Sequence, residues 1–142
     1  MKVKELMTNQ VIDIGRDESV AVAARALAHY NVGVLPVRGD RGDLCGVVTD
    51  RDIVTRCLAA GRVPENTKVG EIMTTQVYSV QPDMDTSAAA HMMGRQQVRR
   101  LPVVENGKLC GMLSLGDLAN HMESNYDAAD ALGEITSSVS SR

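Results

Sequence analysis

Gly46-Val47-Val48-Thr49-Asp50-Arg51-Asp52 and Gly111-Met112-Leu113-Ser114-Leu115-Gly116-Asp117 are one seven-residue pattern written twice, 65 residues apart. Just upstream, Leu35-Pro36-Val37 returns as Leu101-Pro102-Val103, now at an offset of 66. Working outward, segment 3–37 laid on 69–103 is identical at 13 of 35 positions, among them Glu5/Glu71, Met7/Met73, Thr8/Thr74, Val11/Val77 and Asp17/Asp83. A turn shortened by one residue then brings Leu44-Cys45-Gly46 onto Leu109-Cys110-Gly111. Self-similarity over so long a span makes this a repeat protein, and the repeat has to be read before any single element.

Each copy carries the same order of patterns. Val11 to Ile14 and Val77 to Val80 read as short extended pieces after turn-like Met-Thr-x-Gln segments. Asp17 to Asn31 then places Val20, Ala23, Ala24 and Leu27 at helical spacing, echoed by Ala89, Ala90 and Met93 within Asp83 to Gln97. Two β-rich runs follow, Val34 to Arg38 and Leu44 to Val48, around the turn Gly39-Asp40-Arg41-Gly42-Asp43; the second copy has Arg100 to Glu105 and Leu109 to Leu113 around Asn106-Gly107. A closing helix spans about Asp50 to Ala60, capped by Gly61, and its partner spans about Leu115 to Met122.

The predicted fold is therefore mixed α/β (α+β): two tandem β-α-β-β-α repeats packed about a pseudo-twofold axis into one globule. Repeat one occupies residues 1–62, a linker 63–67, repeat two 68–125 and a C-terminal extension 126–142. In that extension Asp127 to Thr136 carries Ala128, Ala131, Leu132 and Ile135 at helical spacing, and Ser137 to Arg142 reads as a frayed tail.

The bulk composition narrows the function classes. With 142 residues, 44% hydrophobic and 23% charged, the chain has the make-up of a folded globular protein. A net charge of -3 offers no basic stripe for a phosphate backbone, so nucleic acid is not an expected partner. The sequence lacks a bilayer-spanning apolar run, and MKVKELM lacks the apolar core of a secretory signal, so a cytoplasmic protein with no membrane partner is expected. Cys45, Cys57 and Cys110 form no even disulfide set and no Cys-x-x-Cys pair, which suits reduced thiols. With no Trp or Phe and only Tyr30, Tyr78 and Tyr126, a planar ligand would be gripped by aliphatic side chains and backbone.

Val-x-Glu-Leu/Ile-Met-Thr at both repeat starts, the Leu-Pro-Val strands, and the Leu-Cys-Gly runs leading into Thr49/Asp52 and Ser114/Asp117 together resemble the cystathionine-β-synthase (CBS) domain family over roughly residues 3 to 122. Within these 142 residues no long additional segment is present, so the resemblance is to stand-alone bacterial CBS-pair proteins. It implies a regulatory module that takes adenosine-containing ligands (AMP, ADP, ATP or S-adenosylmethionine) in clefts between the repeats, requires no cofactor, and forms a homodimer through helices. An effector protein, whose identity the resemblance does not supply, would read the ligand state.

Carried onto this chain, the resemblance makes Asp52 and Asp117 acceptors for ribose hydroxyls, and Thr49 and Ser114 partners for phosphate or ribose near a helix start. It sets Val11, Ile12, Val77 and Tyr78 beside adenine, and makes Arg100, with Arg99 and Arg51, phosphate contacts. Each assignment has a structural alternative. Thr/Ser-x-x-Asp is also a helix capping box, the strand residues also fit a core, and the arginines also fit a solvated or dimer-interface charge. The halves differ where it matters: Gly33 and Val34 stand opposite Arg99 and Arg100, and Gly116 opposite Arg51.

Phosphate-loop, dinucleotide and nucleophile-elbow motifs are all missing, so no enzyme activity is expected. Two other readings remain open: a dimeric interaction scaffold without nucleotide, and a metal or redox sensor built on the cysteines with His29, His91 and His121. Against the latter, the histidines lack metal-ligand spacing, and Cys45 and Cys110 fit buried strand positions.

Overall fold

The computed structural model describes residues 1–121 and 129–135, divided between two compact units. One is the continuous stretch Ile12–Val77, and the other combines Met1–Val11 with Tyr78–Arg142. The spatial units thus do not coincide with the sequence repeats, because each takes its opening turn from the other repeat. These opening turns are the helices α1 (Val3–Leu6) and α4 (Val69–Ile72), each just before a Met-Thr-x-Gln segment and not read as elements from the sequence pattern. The repeated glutamates explain their local stability: Lys2 N–H donates to Glu5 Oε2 at 2.6 Å and Lys68 N–H to Glu71 Oε2 at 2.7 Å, closing each helix start.

In the Ile12–Val77 unit, β1 (Ile14–Gly15) pairs parallel with β2 (Val34–Arg38), which pairs antiparallel with β3 (Leu44–Thr49). Helix α2 (Val20–Tyr30) starts on Ser19, whose hydroxyl accepts from Val22 N–H, and stops at left-handed Asn31. Its apolar stripe, Val20, Ala23 and Leu27, packs with Ile14, Leu35, Val37 and Val48 from the sheet and Val69 and Ile72 from α4. The closing helix begins as α3 (Asp50–Asp52), continues in π-helical form over Ile53–Leu58, and ends before Gly61 at φ 75°. Pro64–Asn66 forms a single 3-10 turn in the linker.

The second unit repeats the plan. Helix α5 (Thr86–Gln96) is capped by Asp85 and ended by left-handed Gln97. Strands β4 (Arg100–Glu105) and β5 (Lys108–Ser114) form the hairpin, turned by Asn106 and Gly107 at φ 53° and 80°, the paired positive values of a tight two-residue turn. Val80 adds a parallel bridge to Val103 in place of a full strand. Helix α6 (Leu115–Ala119) follows, and residues 129–135 form α7, inside the helix expected over Asp127 to Thr136. Asp127, Ala128, Thr136 and the expected frayed tail lie outside the described residues. Val3, Ala89, Ala90, Met93, Leu101, Val103, Leu113, Leu118 and Ala131 form this unit's core.

The outer edge of each hairpin is covered by a Met-Thr segment. Val47 and Thr74 exchange backbone hydrogen bonds at 2.9 and 2.8 Å, as do Thr8 and Met112 at 2.8 and 3.0 Å. Gly46 and Gly111 make this approach possible. A Cβ on Gly46 would stand 2.8 Å from both Met73 Sδ and the Thr74 carbonyl oxygen, and one on Gly111 would stand 2.7 Å from Met7 Sδ and 3.0 Å from the Thr8 carbonyl.

Candidate functional site

Both Thr/Ser-x-x-Asp patterns sit where a hairpin's second strand passes into a helix, and both form the reciprocal capping box. Asp52 N–H donates to Thr49 Oγ1 at 3.0 Å and Thr49 N–H to Asp52 Oδ2 at 3.1 Å. The second copy repeats this with Asp117 N–H to Ser114 Oγ at 3.0 Å and Ser114 N–H to Asp117 Oδ2 at 2.9 Å. A hydroxyl that accepts in this way keeps its own proton to donate, and a carboxylate with one oxygen engaged keeps acceptor capacity on the other. Capping and ligand contact are therefore compatible uses of the same atoms.

The two boxes nevertheless differ. Asp52 is buried, and its carboxylate also receives the Thr74 hydroxyl at 3.2 and 3.1 Å and faces Arg56 Nε at 3.7 Å. Arg56 in turn donates to the carbonyl oxygens of Ile72 and Met73 at 3.4 and 3.2 Å, fastening the end of α4. Asp117 is only partly buried, and among the described residues its Oδ1 receives no hydrogen bond. Sequence reasoning missed Thr74 and Arg56, although the four-residue step from Asp52 to Arg56 carries a readable helix-pair signal; the matching step from Asp117 reaches His121.

Beside Ser114 of the second box lies a cavity of about 650 Å³, lined by Arg99, Arg100, Ser114, Leu115, Gly116, Ala119, Ala129 and Leu132; Asp117, the expected ribose contact, is not among the lining residues. Arg100 faces Ser114 across the β4–β5 register, and Leu115 N–H donates to the Arg99 carbonyl at 2.7 Å, which ties both arginines to the start of α6. Neither guanidinium joins an ion pair among the described residues. Gly116 lines the cavity where repeat one carries Arg51, which is exposed on α3. Among the other lining residues, Leu115 and Gly116 belong to the motif but were given no ligand contact, and Ala119, Ala129 and Leu132 lie outside it.

The strand residues expected beside adenine divide between the units: Ile12 and Val77 in one, Val11 and Tyr78 in the other. Val11, Ile12 and Val77 are half-buried, and Ile12 packs against its unit's core. Tyr78 is 36% exposed, the one aromatic among the four.

The cysteines are quiet. Cys45 and Cys110 donate to the carbonyl oxygens of Val37 and Val103 at 3.3 and 3.4 Å, where β2 and β4 each shift register. Burial pushes both thiols up from the usual cysteine range, which keeps them protonated and poorly nucleophilic at neutral pH. Cys57 is fully buried. Among the described residues, His, Cys, Asp and Glu form no cluster of three or more suited to a metal ion, and no helix is long and apolar enough to cross a membrane.

The repeated hairpin-to-helix unit matches the CBS domain family model at residues 3–59 and again at 69–124. The chain belongs to the CBS domain family. As a CBS pair it is a regulatory module, of a kind that in general takes adenosine-containing ligands and is not catalytic. It is 40% identical over 134 residues to the CBS domain-containing protein YhcV of Bacillus subtilis, covering 94% of each chain. Among solved structures it resembles Hypoxic Response Protein I with two coordinated zinc ions, at TM-score 0.79 and 33% identity over 86% of this chain and 99% of that one. It also resembles the CBS domain pair of protein MJ0100 in complex with 5'-methylthioadenosine and S-adenosyl-L-methionine, at TM-score 0.73 and 26% identity over 84% of this chain and 94% of that one.

Proposed function

We propose that this CBS pair senses an adenosine-containing nucleotide through the cavity of the Tyr78–Arg142 unit. The observation that carries the reading is the convergence of Arg99, Arg100 and Ser114 on one cavity of about 650 Å³, within the roughly 300–1,000 Å³ of small-molecule sites. Phosphate oxygens would be met by the guanidinium forks and the Ser114 hydroxyl. Asp117, the capping partner of Ser114 but not itself a lining residue, would offer Oδ1 to the ribose diol, and the base would be met by the apolar side chains of the lining. AMP, ADP and ATP fit this division of labour best, because two arginines have nothing comparable to hold on an uncharged nucleoside. MJ0100, similar in fold, is described with two adenosine derivatives, which favours the same ligand class here. The first box is the weaker candidate, since both oxygens of Asp52 are already engaged within the protein.

The module would act without catalysis, by binding one arrangement of the protein better than another. The reading includes a homodimer. Val54, Leu58 and Val63 are each more than half exposed, and Val54 and Leu58 lie four apart along the π-helical segment, an apolar strip suited to a second copy. Sedimentation of the wild type beside Leu58→Glu checks that part.

Thermal shift with AMP, ADP, ATP, S-adenosylmethionine and zinc tests the ligand assignment. A ligand at about 100 times its Kd adds about 2.7 kcal/mol, so a rise of several degrees with at least one nucleotide is expected. A shift with zinc alone would overturn the reading in favour of a metal sensor, and no shift at all in favour of a scaffold.

A further inference from the structure

Helix α7 lies beyond the second CBS match, which ends at residue 124, yet the unit is shaped to receive it. Ala131 and Ile135 are buried, at 2% and 8% exposure, and Ala131 belongs to the core cluster. Gly94, in the last turn of α5, is what admits the helix: a Cβ there would stand 2.7 Å from Glu134 Oε2 and 3.2 Å from Ala131 Cα. The equivalent position in repeat one is Ala28, and it is exposed. Glycine is a poorer helix former than alanine, so this surface gives up helix stability for a close helix-helix contact. While Ala131 and Ile135 hold α7 to the core, Ala129 and Leu132 from the same helix line the cavity.

We propose that α7 is a ligand-responsive wall, whose docking on α5 is strengthened by a nucleotide in the cavity and reports its presence. The inference rests on the nucleotide reading of that cavity. A helix of this length does not hold by itself in water, so α7 is ordered by its docking. Leu132 keeps 41% of its surface exposed at the cavity, and an apolar ring laid on it would cover that surface and add to the docking. Linkage makes the effect reciprocal: what the ligand contributes to α7, α7 contributes to ligand affinity.

The test measures amide exchange across 129–135 in the full chain with and without ATP, beside calorimetric ATP affinity for wild type, Ala131→Glu and Leu132→Ala. Ala131→Glu undocks the helix; Leu132→Ala trims only a partly exposed side chain and guards against loss of fold in the first variant. ATP is expected to slow exchange across 129–135, and Leu132→Ala, still folded by its melt, to bind ATP about fivefold or more weakly, in the range of ordinary couplings. Unchanged exchange, or wild-type affinity in Leu132→Ala, would overturn the inference and leave the nucleotide reading standing. Failure of ATP, ADP, AMP and S-adenosylmethionine to bind the wild type would remove both.

Discussion

The hydroxyl of Thr74 reaches both carboxylate oxygens of Asp52, at 3.2 Å to Oδ1 and 3.1 Å to Oδ2. No such bond joins Thr8 to Asp117, the pair in equivalent positions, among the described residues. In one unit the motif aspartate is a structural fastener between the strand end, the closing helix and the Met-Thr segment, and in the other it keeps an oxygen in reserve.

Alanine at the two positions should therefore act differently. Asp52→Ala removes a cap, leaves the Thr74 hydroxyl without its acceptor and Arg56 without its counter-ion, and should cost about 2–3 kcal/mol, read as a melting temperature lower by roughly 4 °C per kcal/mol. Asp117→Ala should cost about 1 kcal/mol, the usual value of a cap, but weaken AMP more than it weakens ribose-free phosphate ligands. Equal stability losses, with no selective effect on AMP, would mean that both aspartates serve only as caps.

Arg100→Ala should weaken ATP by about tenfold or more, as expected for a charge-assisted hydrogen bond of about 1.5–3 kcal/mol, while leaving adenosine nearly unaffected. The melting temperature should hardly move, because Arg100 is exposed and in no ion pair among the described residues. Calorimetry with adenosine, AMP and ATP on one variant reads the gradient directly. A uniform loss across the three would place the effect on the cavity's shape.

Gly111→Ala should destabilise by about 1–3 kcal/mol, the usual cost of overpacking. The new methyl meets the Thr8 carbonyl, which is backbone and cannot swing aside as Met7 can. Exchange of the Thr8 and Met112 amides should accelerate first, since these two hydrogen bonds are the ones pushed apart. Protection unchanged at both amides would show that the segment adjusts without opening.

Acid should loosen the start of α5. The hydrogen bond from Ser87 N–H, followed by the N-terminal ammonium, holds the Asp85 carboxyl below the usual range. Hydrogen bonding and attraction from Lys4, then Lys2, lower Asp83 likewise. A folded-state pKa below the unfolded one contributes stability above the unfolded pKa, and that contribution is lost as pH falls through the folded value. Both groups are solvent-exposed, so the effect is small: Asp85→Asn should flatten the acid limb of melting temperature against pH and leave the neutral value nearly unchanged. An acid limb identical to wild type would remove Asp85 from the account.

What could be read from sequence followed from how local each feature is. The strands Val34–Arg38 and Arg100–Glu105 fall where alternation and turn residues set them, and α2 and α5 end at Asn31 and Gln97, the last residues of the helical patterns. Both capping boxes were legible because four consecutive residues make them. The exchange of α1 and α4 was not: a four-residue helix has no period, and the partners of Val3, such as Met84, lie far along the chain. The cavity was legible by half. Arg99, Arg100 and Ser114 stood out by motif and by contrast with repeat one, whereas Ala129 and Leu132 reach it only through the tertiary docking of α7, for which Gly94 was a silent cue.

The crossed ownership of α1 and α4 also orders events in time. All of Ile12–Val77 has been synthesised once the chain reaches Val77, so that half holds every residue it needs without waiting for later sequence. Met1–Val11 is made first but belongs with a body made last, and closing a loop of such length is the slow kind of step in folding. A ribosome stalled once Val77 has cleared its exit tunnel would therefore display one finished half and a leading strip of polypeptide still without its body.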